Sequence, residues 1–401
     1  MITPVKADKI IRANLPKFKT VVVDLAGVYG RILCENIFSD RDQPPFNKSV
    51  MDGIAVRFCD WQKGCRQFKI TGVQAAGDRL RKAGGRNTCV EIMTGAAVPA
   101  GYDCVIPVEN VTIKNSVATA RLVARQAHNW NIRRQGSDRK RGEKVLEKGT
   151  VLLAPQLAIA ASVGKIKIKV AAKPRVAVIS TGDELVDIRR KPKEFQTRTS
   201  NAFALKTVFD NTRLFETKLF HLKDNQASMR RVLRRILRSF DAVVLSGGVS
   251  MGKFDFVPQV LKSLKVKVLF HKVRQKPGKP FWFGKTKGGK LVFALPGNPV
   301  STLVCAFRYA LPQLKSALGI QGRETAVVSL NKKINGLAKL TYFCPVKIKM
   351  GKDGRAQATP FTTGGSGDFA GLAGSDGFVE LPAARKTFLK NHRVVFYPWK
   401  I

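Results

Sequence analysis

Arg175-Val-Ala-Val-Ile-Ser-Thr-Gly-Asp-Glu-Leu185 is the stretch that sets the fold. Residues 175–179 form a short, mostly apolar run, the pattern of a buried β-strand. The run gives way to Ser180-Thr-Gly-Asp183, which is turn chemistry. The same signature recurs twice downstream. Residues 241–245 are followed by Ser246-Gly-Gly-Val-Ser-Met-Gly252, and residues 290–295 by Pro296-Gly-Asn-Pro-Val-Ser301. Between the first two runs, Met229, Val232, Leu233, Ile236, Leu237 and Phe240 fall at helical spacing. Asp224 or Asn225 can cap the start of that helix. Pro299 suits the first position of another. Residues 266–270 and 281–283 read as further strands. Strand and helix in alternation imply an α/β layer with a mainly parallel sheet.

The flanks read differently. From about residue 50 to 140, short apolar runs are punctuated by glycines such as Gly53, Gly64, Gly72, Gly77 and Gly95, the pattern of a small β domain. Residues 319–401 return to β-like runs at 325–330, 343–349, 377–381 and 393–397. Residues 20–35 mix apolar and small residues, and Asp24 is placed within a helix. The chain has 401 residues, 44% of them hydrophobic. That is ample for buried cores and excludes a disordered basic tail.

Lys and Arg number 71 against 28 Asp and Glu, a net charge of +43. Such a balance first suggests nucleic acid. The charge is spread over the whole sequence, however, rather than gathered in an arm. Arg230, Arg231, Arg234, Arg235 and Arg238 lie opposite the apolar stripe of their helix and read as a solvated face. No stacking platform, helix-turn-helix or zinc-finger signature accompanies them. Residues 1–19 carry charges throughout, unlike a secretory signal, and no apolar run reaches the ~20 residues of a membrane span. Seven cysteines in this setting read as reduced thiols, so cytoplasm is expected. No Cys-x-x-Cys pair occurs, and the four histidines are scattered, which argues against zinc or iron–sulfur sites.

The chemistry lies in the three strand-ending loops. In an open α/β sheet the carboxyl ends of the strands share one edge, where ligands bind. Gly247 and Gly248 lack Cβ atoms, so backbone N–H groups can approach an anion. Ser250 adds a hydroxyl. Lys276 and Lys279, in Lys276-Pro-Gly-Lys279, supply point charges for a phosphate. Pro296, Asn298, Pro299 and Ser301 form the third loop. In this acid-poor chain, Asp183, Glu184, Asp224 and Asp255 stand beside those loops. Acids at a phosphate site call for a divalent cation, and carboxylates suit Mg2+. Asp52 and Thr94, taken alone, read as turn residues of the small β domain.

Taken in order, these motifs identify a family. Met51-Asp-Gly53 with Ala55-Val-Arg57, Ile92-Met-Thr-Gly95 with Val98-Pro99, and Asn131-Ile-Arg133 with Gly136 and Asp138 come first. Residues 180–185, Ser200-Asn201, residues 246–252 with Asp255, Lys276-Pro-Gly-Lys279, residues 295–301, and Gly365-Ser-Gly367 with residues 377–382 follow. The chain resembles the molybdopterin molybdenumtransferases and the C-terminal domain of gephyrin over nearly its whole length. The resemblance implies a central three-layer α/β/α molybdopterin-binding-type domain, N-terminal mixed and β subdomains, and a small C-terminal β domain. It implies boundaries at 1–45 plus 141–172 for an N-terminal dimerisation segment, 46–140 for the inserted β-rich part, 173–318 and 319–401.

It further implies a homodimer that inserts molybdate into adenylylated molybdopterin, with Mg2+-dependent release of AMP. Contacts with the molybdopterin adenylyltransferase and with apo-molybdoenzymes follow from that role. By matching position, Asp52, Thr94, Asp138, Glu184, Asp224 and Asp255 are the expected catalytic residues. Glu184, Asp224 and Asp255 act at the metal. Gly247, Gly248, Ser250, Lys276, Lys279, Pro296, Asn298, Pro299 and Ser301 bind substrate. Asp52 and the α/β loops belong to different domains and are expected to meet across the dimer. Three departures stand out. Lys253 and Ser137 occupy positions that are commonly acidic. Leu340-Thr-Tyr-Phe-Cys-Pro345 lacks the two arginines expected to help bind molybdate, leaving Lys339 or Lys347 to take their place. The competing readings are a non-catalytic scaffold of the same fold and a basic nucleic-acid-binding protein.

Overall fold

The computed structural model describes residues 1–121, 127–249, 255–320 and 325–400. The chain divides into two compact units. One comprises Met1–Cys34, Gly149–Leu153 and Lys167–Ile401; the other comprises Glu35–Lys148 and Ala154–Ile166.

The centre of the first unit is the α/β layer. Its strands are β1 (Arg175–Thr181), β2 (Glu216–Leu222), β3 (Ala242–Ser246), β4 (Lys267–His271), β5 (Trp282–Lys285) and β6 (Leu291–Leu295). They form one sheet in the order β2-β1-β3-β6-β5-β4. β2, β1, β3 and β6 run parallel, while β5 and β4 are antiparallel to their neighbours. The antiparallel edge follows from loop length. Thr286-Lys-Gly-Gly-Lys290 is too short for a parallel crossover and closes a hairpin instead.

Helices α1 (Ser200–Asp210), α2 (Gln226–Ser239), α3 (Val257–Ser263) and α4 (Pro299–Cys305) cover both faces. Because strand side chains alternate, each strand feeds two cores. Val176, Val178, Val244 and Phe293 pack with α1 and with the segment around Tyr309. Ala177, Ile179, Val243 and Val292 pack with Met229, Leu233 and Ile236 of α2 and with α3. The five arginines of α2 are exposed on the opposite side. α1 lies on one face and α2 on the other, so the connections part at β1 and β3. That point is where such sheets open a crevice.

A second sheet in this unit closes on itself. Strands Thr341–Met350, Ala356–Pro360, Ala326–Leu330, Arg393–Pro398 and Gly377–Leu381 pair in that order, and the last pairs back to the first. The short strand Gln275–Lys276 adds to it beside Thr341 and Tyr342. Asp24 ends a strand, Thr20–Asp24, paired with Lys167–Ala171, so the expected helix there is corrected. Its Val21-Val-Val run favours extended backbone over helix.

The second unit holds a six-stranded sheet ordered Cys104–Pro107, Gly53–Val56, Thr88–Ile92, Gln67–Gln74, Val117–Ala120 and Val111–Lys114. Phe68, Ile54 and Ile106 pack in its core. Among the described residues no helix is long and apolar enough to cross a membrane.

Candidate active site

The carboxyl ends of β1, β3 and β6 open into a cleft of about 690 Å³. Glu184, Asp224, Gly247, Gly248, Asp255, Pro296, Asn298 and Pro299 all line it. Three loops distant in sequence thus reach one site. Gly247 and Gly248 have φ of +98° and +68°, in the region glycine favours. An added Cβ would stand 2.8 Å and 2.9 Å from the Thr181 hydroxyl, so the turn lies directly on β1. That buried hydroxyl has no hydrogen-bond partner among the described residues. Ser250 and Lys253 lie outside the described residues.

A hydrogen-bonded latch joins the β3 and β6 loops. Asn201 on α1 donates to the Ser246 hydroxyl at 2.9 Å and to the Gly297 carbonyl at 2.6 Å. Thr302 donates to the Pro296 carbonyl at 2.6 Å and lies 3.2 Å from Ser246. The Gly247 N–H donates to the Leu295 carbonyl at 3.1 Å. Sequence reading placed Asn201 and Thr181 in motifs but gave them no role, and it passed over Thr302.

The acids gather on one wall. The helix cap is Asn225, whose side chain accepts from the Ser228 N–H at 3.0 Å. Asp224 does not cap, and it lines the cleft instead. The Asp224 N–H donates to the Asp183 carboxylate at 3.2 Å, tying the β2 and β1 loops together. Partial burial pushes the Asp224 carboxyl up, and the nearby negative charges of Asp183, Glu184 and Asp255 add to this. His221 sits 3.3 Å from the Ser180 hydroxyl. Burial pushes it down, against the opposing pull of Glu184, Asp183 and Asp224. Among the described residues, no group of three or more His, Cys, Asp or Glu side chains forms a ready metal cage. Arg198, in a chain of 71 basic residues, is the single cation among the described residues lining this cleft. Its Nε donates to the carbonyls of Ile188 and Arg190 at 3.1 and 3.2 Å.

Three further expected substrate-binding residues lie next door. Lys276, Lys279 and Ser301 line a second cavity of about 430 Å³. It shares Pro280, Pro296, Gly297 and Asn298 with the first. Its far wall is Tyr342, Phe343 and Pro345 from the closed sheet and Leu340 just before it, with Thr363 and Ser366 beside them. Asn298 donates to the Ser366 hydroxyl at 2.8 Å. Lys339 and Lys347 are not among its described lining residues, so Lys276 and Lys279 are the cations there.

Asp52, Thr94 and Asp138 belong to the second unit. One Asp52 oxygen accepts from the Thr94 N–H at 2.6 Å and from its hydroxyl at 2.7 Å. Those two bonds hold its carboxyl below the usual range. Two residues read singly as turn residues are therefore one hydrogen-bonded pair. Asp138 pairs with Arg133 at 2.7 Å, which likewise lowers its carboxyl.

Three family matches cover most of the chain in order. Residues 2–164 match the MoeA N-terminal region (domains I and II), residues 177–316 a probable molybdopterin binding domain, and residues 328–399 the MoeA C-terminal region (domain IV). A molybdopterin molybdenumtransferase from Synechocystis is 37% identical over 400 residues, covering 100% of both chains. One from Haemophilus influenzae is 36% identical over 301 residues, 75% of this chain and 74% of its own. The crystal structure of the molybdopterin biosynthesis MoeA protein from Pyrococcus horikoshii superposes with a TM-score of 0.85 at 30% identity, covering 100% of both chains. This chain belongs to the molybdopterin molybdenumtransferase family.

Proposed function

We propose that this enzyme inserts molybdate into adenylylated molybdopterin and releases AMP, the last step of molybdenum cofactor assembly. One observation carries the reading. A glycine turn built to approach an anion closely faces a wall of carboxylates across one cleft. A phosphoanhydride entering there would meet like charge from Glu184, Asp224 and Asp255. The Asp224 carboxyl is raised first by its partial burial, and the neighbouring carboxylates add to that.

The donor set fits Mg2+. This ion keeps waters and takes one or two carboxylates together with substrate phosphates, rather than an all-protein cage. Glu184, Asp224 and Asp255 are the residues that would hold it, and a bound Mg2+ would neutralise charge on the phosphoryl oxygens. The turn at Gly247 and Gly248, with Ser250, binds the phosphate that remains on the pterin. Arg198 offers a fixed guanidinium to the same anion, its Nε already engaged by two carbonyls. Pro296, Asn298 and Pro299 shape the boundary between the cavities. Lys276, Lys279 and Ser301 hold the molybdate oxyanion.

Asp52, Thr94 and Asp138 are assigned to the same reaction from the second unit. We assign the working form to a cytoplasmic homodimer that receives substrate from the adenylyltransferase and passes cofactor to apo-molybdoenzymes. All seven cysteines are free thiols, which suits a reducing compartment. Val22, 59% exposed on the Thr20–Asp24 strand, offers apolar surface for self-association. The deciding experiment mixes enzyme, Mg2+, molybdate and adenylylated molybdopterin and measures AMP. Release of AMP with activation of an apo-molybdoenzyme is expected, and its loss in Asp52→Ala and Asp255→Ala. No AMP from the unmodified enzyme under saturating conditions would sink the proposal.

A further inference from the structure

Lys276 and Lys279 are exposed, but the two residues between them are gripped from inside the protein. Strand alternation sends neighbouring side chains to opposite sides. Gln275 and Lys276 both border the second cavity, Lys276 with an exposed side chain and Gln275 completely buried against Tyr309 and Cys305 of the α/β core. Gln275 is the hub of a polar network. The Tyr309 hydroxyl donates to its Oε1. Its Nε2 donates to the Pro277 carbonyl at 3.1 Å and to Cys305 Sγ at 3.5 Å. Cys305 Sγ in turn donates to the Gly278 carbonyl at 3.8 Å. Both carbonyls held are those between the lysines. A Cβ at Gly278 would stand 2.6 Å from Cys305 Sγ and from Gln275 Nε2, so the loop lies flat on this network.

Tyr309 and Cys305 are also completely buried. A satisfied polar network in such a place fixes one geometry, because any other leaves buried groups unpaired. Among the described residues, the second cavity has no arginine on its C-terminal wall, so its anion affinity falls on two flexible lysines. Long side chains bind better when their backbone is fixed beforehand.

We propose that Gln275, Tyr309 and Cys305 are positioning residues that fix the Lys276–Lys279 loop for oxyanion binding. The inference rests on the reading of that loop as the molybdate site, and the test separates the two. Molybdate binding to the full chain is measured by calorimetry, and its KM and the kcat by AMP release. The variants are Lys276→Ala, Lys279→Ala, Tyr309→Phe, Gln275→Leu and the Tyr309→Phe/Gln275→Leu double.

Each lysine variant is expected to weaken molybdate binding. Tyr309→Phe should weaken it about threefold to tenfold, the scale of one hydrogen bond lost. It should raise the molybdate KM with kcat at saturation unchanged, a split that general destabilisation does not produce. The double should be no worse than Gln275→Leu alone, because the two act as one network. If Gln275→Leu fails to fold, Tyr309→Phe decides alone. Unchanged molybdate affinity in Tyr309→Phe, with the lysine variants impaired, overturns the positioning role and leaves the site standing. Unchanged affinity in the lysine variants, or no binding by the unmodified chain, overturns the site and the inference with it.

Discussion

At the scale of single residues, Asp224 shows how the site is tuned. Asn225 takes the capping role, which leaves the Asp224 carboxylate in the cleft among other acids. Its carboxyl is raised, so the folded chain holds that proton more tightly than the unfolded chain. The group's contribution to stability is therefore complete below the ordinary aspartate range. It is lost as pH rises through the raised value. Asp224→Asn removes the cost of the charged form. We expect a higher thermal midpoint than the parent at neutral pH, a gain that shrinks as pH falls towards 4, and a loss of AMP release. A midpoint difference that grows on acidification would reverse the sign and refute this account. Gly248 is a second sharp case. Its positive φ, together with a Cβ that would fall 2.7 Å from Val257 Cγ2, leaves no room for a side chain. Gly248→Ala should cost about 1–3 kcal/mol in backbone strain, read by thermal unfolding, and should depress turnover.

At the scale of elements, the buried arginine Arg308 fastens three parts of the first unit together. It sits in the π-turn Ala306–Ala310 and pairs with Asp8 of the N-terminal helix Pro4–Arg12. It also pairs with Glu380 of strand Gly377–Leu381 at 2.9 Å, where Tyr397 adds a hydrogen bond at 2.7 Å. Arg308→Met would remove the guanidinium that two largely buried carboxylates share. A loss of about 3–5 kcal/mol is expected, the scale for breaking a buried pair by removing one partner, and thermal unfolding at neutral pH measures it. None of this was visible in the sequence, where Asp8, Arg308 and Glu380 lie far apart among many charges. The α/β layer was legible for the opposite reason. Its central strands β1, β3 and β6 are buried nearly throughout and so read as continuous apolar runs, whereas the largely exposed edge strand β2 has no such run and went unseen. Strand Ala356–Pro360 faces the core on one side only and has no such run, so it went unseen. In the site, glycines and acids stood out because they follow directly on apolar strands, at the sheet edge where ligands bind. Asn201, Gln275 and Arg198 did not, because their role depends on which loops the fold brings to them.

At the scale of the whole molecule, the net charge of +43 and the acid-walled cleft pull in opposite directions. Most of the excess sits on outward faces, as the exposed arginines of α2 show. Locally the cleft repels a phosphorylated substrate, with Arg198 as its only cation among the described lining residues. From a distance, a basic surface attracts the same substrate. The two effects separate by range. Exposed charges act over about one Debye length, roughly 10 Å at 0.1 M salt and about 3 Å at 1 M. Contacts inside the cleft are screened far less. The excess charge therefore acts on encounter rather than on chemistry. Raising salt from about 0.01 M to about 1 M, at fixed Mg2+, should lower kcat/KM for adenylylated molybdopterin by tenfold or so. The kcat should stay nearly constant. Substituting glutamine for Arg230, Arg231, Arg234, Arg235 and Arg238 together should flatten that salt dependence while leaving kcat in place. A steep salt dependence that survives the five substitutions would move the steering field elsewhere on the surface. A fall in kcat on adding salt would show that the screened charges act within the cleft itself.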